Sequence, residues 1–322
     1  MSISRRSLML AAPALLSLNN ARAQSDYPNR TIRIVAPFAA GAASDVLMRR
    51  LSEPVHKLLG QPLVIENRPG ANGAIAGRIA AKATNDGYTL MIAGNSSHAA
   101  GVHTMKDLGY DPIKDFTAIT QLTMNPQILV VNADLPVRTL QEFIKYAKDR
   151  PGKLTYGTGN TGSLVSALLL KTQAGIDAVG VNYPGVPQAT TDLLAGRLDF
   201  IMNDPVVAAP FVQSGKLRVL GVTSKLRLAA FPDVVPLAEL GLSNFDYASW
   251  SAVVAPAGVP PEVVRKIQQA FAKVMADPAI QKFVSDAGII PVSSSPEALH
   301  DFMVEQIRLW GIWAKQAGLT PT

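Results

Sequence analysis

Twice in this chain a short apolar run opens into a loop of small residues and then into a helical pattern. The first instance is Ile32–Val35 followed by Pro37-Phe38-Ala39-Ala40-Gly41-Ala42-Ala43-Ser44-Asp45. From Ser44 the apolar positions Val46, Leu47, Leu51, Val55, Leu58 and Leu59 recur at helical spacing, until Gly60 stops the helix. The second instance is Leu154–Tyr156, the loop Gly157-Thr158-Gly159-Asn160-Thr161-Gly162, and a helix over Ser163–Ala174. Strands that alternate with helices commit the chain to α/β layering around a mostly parallel sheet. Leu63–Ile65 and Thr89–Ala93 add strands to the first series, with a small-residue helix at Ala74–Ala83 between them. The second series begins near Gln127–Val131. Thr139 and Glu142 have the spacing of a capping box, and the helix after them runs to about Asp149, before Pro151-Gly152. Strands are expected near Val179–Asn182, Phe200–Met202, Leu217–Val222 and Trp250–Ala255. The chain ends in helices at Glu262–Met275 and Pro296–Ala317, the second with Ser295 as N-cap.

With 322 residues, 48% of them apolar, there is material for a sizeable core in two domains or one large one. Cysteine is absent, which removes disulfides, thiolate catalysis and a lipidated N-terminal cysteine. The formal charge of +6 is inflated by Arg5, Arg6 and Arg22; without these three it is +3. That balance, with no basic run interleaved with aromatics, excludes nucleic acid as a partner. Residues 1–23 read as a secretory signal peptide: a positive Met1–Arg6, an apolar Leu8–Leu18, and an Ala21-Arg22-Ala23 cleavage site. The mature chain would start at Gln24. Ser4-Arg5-Arg6-Ser7-Leu8-Met9 resembles a twin-arginine motif, so both export routes stay open. No later stretch has 18 continuous apolar residues, and the mature protein is expected in the bacterial periplasm, not embedded in a membrane.

The two small-residue loops are the main candidates for chemistry. Each lets backbone approach a ligand closely, and the helix after each points unpaired N–H groups and a positive dipole end at it. An ordinary strand-to-helix turn capped by Ser44 or Asp45 explains the first loop equally well. The second is a literal G-x-G-x-x-G, but a dinucleotide site needs an acid about 20 residues on, at a strand end. Asp177 falls in a Gly-Ile-Asp-Ala turn instead, so a second anion-receiving helix N-terminus fits better, with Thr158, Asn160, Thr161 and Ser163 as polar partners. Gly94-Asn95-Ser96-Ser97-His98 also follows a strand and is not a nucleophile elbow. His98 and His103 are five apart rather than four, so no metal is expected; His98 reads as a hydrogen-bonding loop residue. Tyr183-Pro184-Gly185 makes another strand-to-helix turn, and Asp204 before Pro205 reads as an N-cap or as a ligand-facing carboxylate.

At these residues the chain resembles the Bug family, the periplasmic solute receptors of tripartite tricarboxylate transporters. The resemblance covers nearly all of the mature chain. It rests on Ile32-Arg33-Ile34-Val35-Ala36-Pro37-Phe38, Gly60-Gln61-Pro62, Val64-Ile65-Glu66-Asn67-Arg68-Pro69-Gly70-Ala71-Asn72-Gly73 and Asp86-Gly87-Tyr88-Thr89-Leu90. Tyr156-Gly157, Tyr183-Pro184-Gly185, Leu193-Leu194-Ala195-Gly196, Ser214-Gly215-Lys216-Leu217-Arg218 and Trp250 with Ala255-Pro256-Ala257-Gly258 complete it. It implies an α/β, two-lobed, type II-like periplasmic-binding-protein fold. Lobe 1 would be 26–124 plus 250–322 and lobe 2 would be 125–249, with the ligand between them. It implies further that a ligand carboxylate is held by backbone groups and waters at Phe38–Asp45 and Gly157–Ser163.

The expected roles follow. Amides of Ala39, Ala40, Gly41, Ala42 and Ala43 receive the carboxylate, while Ser44 and Asp45 order their loop. Thr158–Ser163 close from the other lobe, and Asn95, Ser96, Ser97, His98 and Asp204 choose the rest of the ligand. No cofactor is expected. The expected partners are a small organic carboxylate and the permease subunits of a transporter, and the expected state is a monomer. Two competitors remain: an exported α/β enzyme acting on a small carboxylate, and a receptor that signals to a sensor protein. Ala40 and Ala42 depart from the family's P-F-x-P-G-G-x-x-D loop, and Ser166 stands where the family often has histidine. An alanine at 42 would redirect the loop if that position needs φ > 0.

Overall fold

The computed structural model describes residues 27–316 and 319–321. The signal peptide expected at 1–23 and the lobe 1 start at 26 lie outside the described residues. Two sheets organise the chain.

The first sheet has six strands in the order β11-β4-β10-β3-β1-β2. Its parallel part is β1 (Ile32–Ala36), β2 (Leu63–Asn67) and β3 (Thr89–Gly94). β10 (Ala248–Pro256) runs antiparallel to β3 and to β4 (Phe116–Pro126), and β11 (Ile290–Pro291) pairs antiparallel with β4. The second sheet is ordered β7-β6-β8-β5-β9. β6 (Leu154–Thr158) is parallel to β7 (Ala178–Asn182) and β8 (Phe200–Asn203). β5 (Ile128–Asn132) is antiparallel to β8 and to β9 (Leu217–Val222). The expected α/β layering is present, but the expected mostly parallel sheet is not: five of the nine strand pairings among the described residues are antiparallel, because the strands entering and leaving each crossing, and β11, run against their neighbours.

Helices cover the faces because the strands bury both sides. In β5, Ile128 and Val130 join one apolar cluster and Leu129 and Val131 join another, as a period of two requires. One face of the first sheet packs on α1 (Ala43–Leu59) and α8 (Pro261–Met275), through Leu51, Val55, Ile267 and Phe271. Gly60 ends α1 in the left-handed region at φ 77°, donating its N–H to the His56 carbonyl. In the second lobe, α4 (Leu140–Lys148) starts on the expected box. Thr139 Oγ1 accepts the Glu142 N–H at 3.1 Å, and the Glu142 carboxylate accepts the Thr139 N–H at 3.3 Å.

Several elements differ from the sequence reading, the short β11 among them. β4 is an eleven-residue strand where none was expected, and α9 (Pro278–Asp286) was not anticipated either. The stretch after β3 is not a loop: it is helical, π-wound over Ser96–Ala100 and α-helical over α3 (Gly101–Thr104).

The chain crosses between the sheets twice, at Gln127 and at Tyr247, and Thr223 ties the crossings together. Gln127 N–H donates to Thr223 Oγ1 at 2.8 Å, and Thr223 Oγ1 donates to the Tyr247 carbonyl at 2.7 Å. Thr223 N–H donates to the Gln127 carbonyl at 2.8 Å, and Tyr247 N–H to the Thr223 carbonyl at 2.9 Å. The C-terminal helix α10 (Pro296–Gln316) packs behind this junction, with Trp310 and Trp313 edge-on to Tyr247 at 6.3 and 5.2 Å between ring centroids. One apolar cluster therefore runs from the first sheet through Trp310 into the second.

Candidate functional site

A cleft of about 460 Å³ opens between the sheets, walled by both lobes and floored by the two crossings. Hollows of about 650 and 700 Å³ lie elsewhere, but one is built from the first lobe alone and the other from the second alone. The 460 Å³ cleft collects both small-residue loops.

The first loop is held by Asp45, which is buried. Its Oδ2 accepts the Gly41 N–H and the Arg49 Nε–H, and its Oδ1 accepts from Asn67 Nδ2, all at 2.9 Å. The Arg49 hydrogen bond, with those from Gly41 and Asn67, holds this carboxyl at about 2. Asn67 also donates to the Phe38 carbonyl at 3.0 Å, so β2 pins the loop from the side. Gly41 takes φ 84°, a left-handed value that favours glycine, whereas Ala42 sits at φ −64° and ψ 155°. The alanine at 42 therefore does not redirect the loop, because the positive φ falls one residue earlier.

The second loop uses an equivalent device at α5 (Thr161–Ala174). Asn160 Oδ1 accepts the Ser163 N–H at 2.7 Å, and Ser163 Oγ accepts the N–H groups of Gly159 and Asn160 at 2.9 and 3.1 Å. A Cβ on Gly159 would lie 2.2 Å from the Gly185 carbonyl carbon, so the Pro184-Gly185 turn packs backbone to backbone behind the loop. Thr158 Oγ1 donates to Asn182 Oδ1 at 2.7 Å. Ser166 Oγ bridges the Gly162 carbonyl and Gln127 Oε1, tying this helix to the crossing.

These networks decide which amides are free. Gly41 N–H goes to Asp45, Ala42 N–H goes to the Ala39 carbonyl, and Gly159 and Asn160 N–H go to Ser163. Left without a partner among the described residues are the first-turn N–H groups of Ala43 and Ser44 on one side and of Thr161 and Gly162 on the other. All four residues line the cleft. Of the amides expected over Ala39–Ala43, those of Gly41 and Ala42 are taken up inside the loop and Ala43 lines the cleft, while Ala39, Ala40 and Gly41 lie outside its lining.

Of the remaining expected residues, Phe38, Ala42, Asn95, Ser96, Ser97, Gly159, Asn160 and Asp204 line the cleft. Asp45, Gly157, Thr158, Ser163, Pro184 and Gly185 support it from behind. His98 does not reach it. The helical winding after Asn95 turns that ring inward, fully buried, 4.6 Å from Phe116 and 6.0 Å from Tyr110 between centroids. Burial pushes its imidazole down to about 3, so it is a neutral core residue. Sequence reasoning missed Asn72, Asn125, Gln127, Tyr247 and Ser249, which also line the cleft. For Asn125 and Gln127 the signal is position: a polar Asn125-Pro126-Gln127 break between two apolar runs marks where the chain changes sheets.

Among the described residues no Lys, Arg or His lines the cleft, and Asp204 is its one carboxylate. Asp204 Oδ1 accepts from Gln127 Nε2 at 3.3 Å and Oδ2 from Asn160 Nδ2 at 3.2 Å. Surrounding protein pushes its carboxyl above the ordinary range, against the pull of those two amides. No metal-holding group of His, Asp and Glu occurs among the described residues, and none of their helices is long and apolar enough to cross a membrane.

Comparison with known proteins bears on this geometry. The model of the tripartite tricarboxylate transporter family receptor matches residues 47–319. A UPF0065 protein of Bordetella pertussis is 31% identical over 314 residues, covering 97% of each chain. The structure of R. palustris Rpa4515 with adipate superposes with a TM-score of 0.81 at 31% identity, covering 92% of this chain and 100% of that one. The periplasmic binding protein BugD gives a TM-score of 0.77 at 28% identity, covering 92% and 100%.

Proposed function

The chain belongs to the tripartite tricarboxylate transporter receptor family, whose members are periplasmic solute-binding proteins, and from that premise we propose that it captures a small organic carboxylate between its lobes. One observation carries the reading. Two helix N-termini from opposite lobes, Ala43-Ser44 and Thr161-Gly162, present unpaired N–H groups to a cleft without basic side chains. Oriented amides and dipole ends suit an anion there, and their placement on both walls suits a ligand that holds the lobes together. The adipate bound to the R. palustris relative is a carboxylate of this class.

The remaining parts of the reading follow from it. The lobes, 26–124 plus 250–322 and 125–249, close by hinge motion at the Gln127 and Tyr247 crossings, and the closed form is presented to permease subunits. The chain is exported by its 1–23 leader and works as a periplasmic monomer, as a receptor rather than an enzyme.

The test is thermal unfolding of the purified protein, refolded to strip bound ligand, against mono-, di- and tricarboxylates with their amides and esters as neutral controls. Ligand at about 100 times its Kd adds about 2.7 kcal/mol of stability. Stabilisation that needs the free carboxylate supports the proposal; stabilisation by the neutral controls alone refutes it.

A further inference from the structure

The lobes also meet away from the two chain crossings, at the turn of residues 287–290 that follows α9. Ile289 packs on an apolar cluster of the first sheet, and its neighbour Ile290 packs on one of the second. Just before them Gly288 lies against Pro205, which opens α7 (Pro205–Gln213) after β8. The approach is close: a Cβ on Gly288 would stand 2.3 Å from Pro205 Cβ and 3.0 Å from its Cγ. Ala287 and Ile289 on one side, and Pro205 and Val206 on the other, line the cleft, whereas Gly288 itself does not. The turn is fixed to the first sheet beside the Gln127 crossing, because β11 pairs with Met124 and Thr123. Nothing polar holds the contact. Gly288 N–H donates to the Ser285 carbonyl at 2.9 Å and Ile289 N–H to the Val284 carbonyl at 3.2 Å, so the turn satisfies itself within the end of α9. Pro205 has no N–H to give. Among the described residues no hydrogen bond joins the turn to Pro205 or Val206. The lobes can part here without leaving a donor or acceptor unmade, whereas parting the Thr223 clasp breaks four hydrogen bonds.

We propose that this contact is made when the cleft closes and parts when it opens, and that Gly288 is a positioning residue whose missing side chain lets Pro205 arrive and so fixes how far the lobes close. This rests on the hinge motion proposed above, not on the identity of the ligand. A ligand held from both walls binds tightly only to the closed form, and its apparent affinity falls with the population of that form. A methyl group on Gly288 cannot coexist with Pro205 at 2.3 Å, so it wedges the lobes apart without touching the ligand. In the open form the methyl is clear of Pro205, and the one cost left is the left-handed backbone at φ 72°. That cost can be measured by itself. Gly215 takes φ 71° with nothing within 4 Å of where its Cβ would stand, so Gly215→Ala reports the backbone strain alone.

The test compares Gly288→Ala with Gly215→Ala in the refolded, ligand-free protein, first by thermal unfolding and then by calorimetric titration with adipate as the probe. The proposal expects both variants to lower the ligand-free melting temperature equally, to within about 3 °C. It expects Gly288→Ala, and not Gly215→Ala, to weaken adipate binding tenfold or more. It expects that loss to vanish when Gly288→Ala is added to Pro205→Gly and compared with Pro205→Gly alone, because the opposing ring and Cβ are gone. A melting temperature that falls more than about 3 °C further for Gly288→Ala than for Gly215→Ala marks the contact as fixed packing and overturns the proposal. Adipate affinity unchanged by Gly288→Ala overturns it as well, and so does a loss that persists in the Pro205→Gly background. If adipate does not bind the wild type, the carboxylate reading falls back on the wider panel of acids, and the melting comparison, which needs no ligand, still decides the junction.

Discussion

Asp45 supports the first loop from a buried position, and replacing it with asparagine isolates what its charge contributes. The carboxyl is held at about 2 against an ordinary 3.8. At 1.36 kcal/mol per pH unit that gap is worth about 2.4 kcal/mol at neutral pH. Arg49, its main partner, is 53% exposed, so solvent screening brings the expected value for Asp45→Asn to about 1–2 kcal/mol. The sign follows from the depressed value: the contribution is complete above 3.8 and is lost as the pH falls through about 2. Near pH 3 roughly half should remain. The assay is urea unfolding of wild type and variant at pH 7, 4 and 3, reading the difference between the two curves so that other carboxylates cancel. A difference that is equal at pH 7 and pH 3, or under about 0.5 kcal/mol at pH 7, refutes the account of Asp45 as a charged anchor.

Other substitutions probe the hinge, the core and the loop. Thr223→Val removes the hydroxyl that joins the two crossings and leaves the Gln127 N–H and one hydrogen bond to the Tyr247 carbonyl unmade. A loss of about 2–4 kcal/mol in urea unfolding is expected, and a loss below 1 would show that the clasp is dispensable. His98 is held neutral at about 3 against an ordinary 6.5, so the unfolded chain takes up a proton that the native state refuses. Its contribution is complete above pH 6.5 and falls with pH from there toward 3, with a slope approaching about 1.4 kcal/mol per pH unit, and His98→Leu should flatten that part of the stability curve. Gly41→Pro cannot adopt φ 84° and loses the N–H given to Asp45. It should abolish ligand-induced thermal stabilisation while the protein stays folded; unchanged affinity would remove this loop from the site.

Periodicity and capping made much of the layering readable in advance. The Thr139–Glu142 box and the Gly60 stop are local chemistry, settled within one turn of helix. β4 was not readable because Phe116–Pro126 is buried on both faces for most of its length, so its threonines do not alternate with apolar residues in a solvent-facing pattern. Ser96–Ala100 carries no helical period, and its winding is set by packing against β3 and α10. Within the site, both loops were legible from glycine and small residues, yet which amides remain free was not. That depends on where Asp45 and Ser163 spend their oxygens, a matter of side-chain direction. The substitution at Ala42 looked consequential only until the backbone assigned the left-handed turn to Gly41. The cleft floor at Asn125, Gln127, Tyr247 and Ser249 comes from distant parts of the chain that only the double crossing brings together.

The aromatic stack behind that double crossing has an optical consequence. The chain has three tryptophans. Trp250 lines the cleft, and Trp310 and Trp313 sit against the ring of Tyr247, whose hydroxyl reaches the cleft-lining Asn95. Every indole is therefore at the ligand space or one side chain behind it, and Trp310 and Trp313 are close enough, at 5.7 Å between centroids, to quench or couple as a pair. Ligand entry beside Trp250 is expected to change the emission of that indole, and lobe movement that tilts Tyr247 that of Trp310 and Trp313. The protein carries its own fluorescent gauge of occupancy, and binding can be followed in the unlabelled chain.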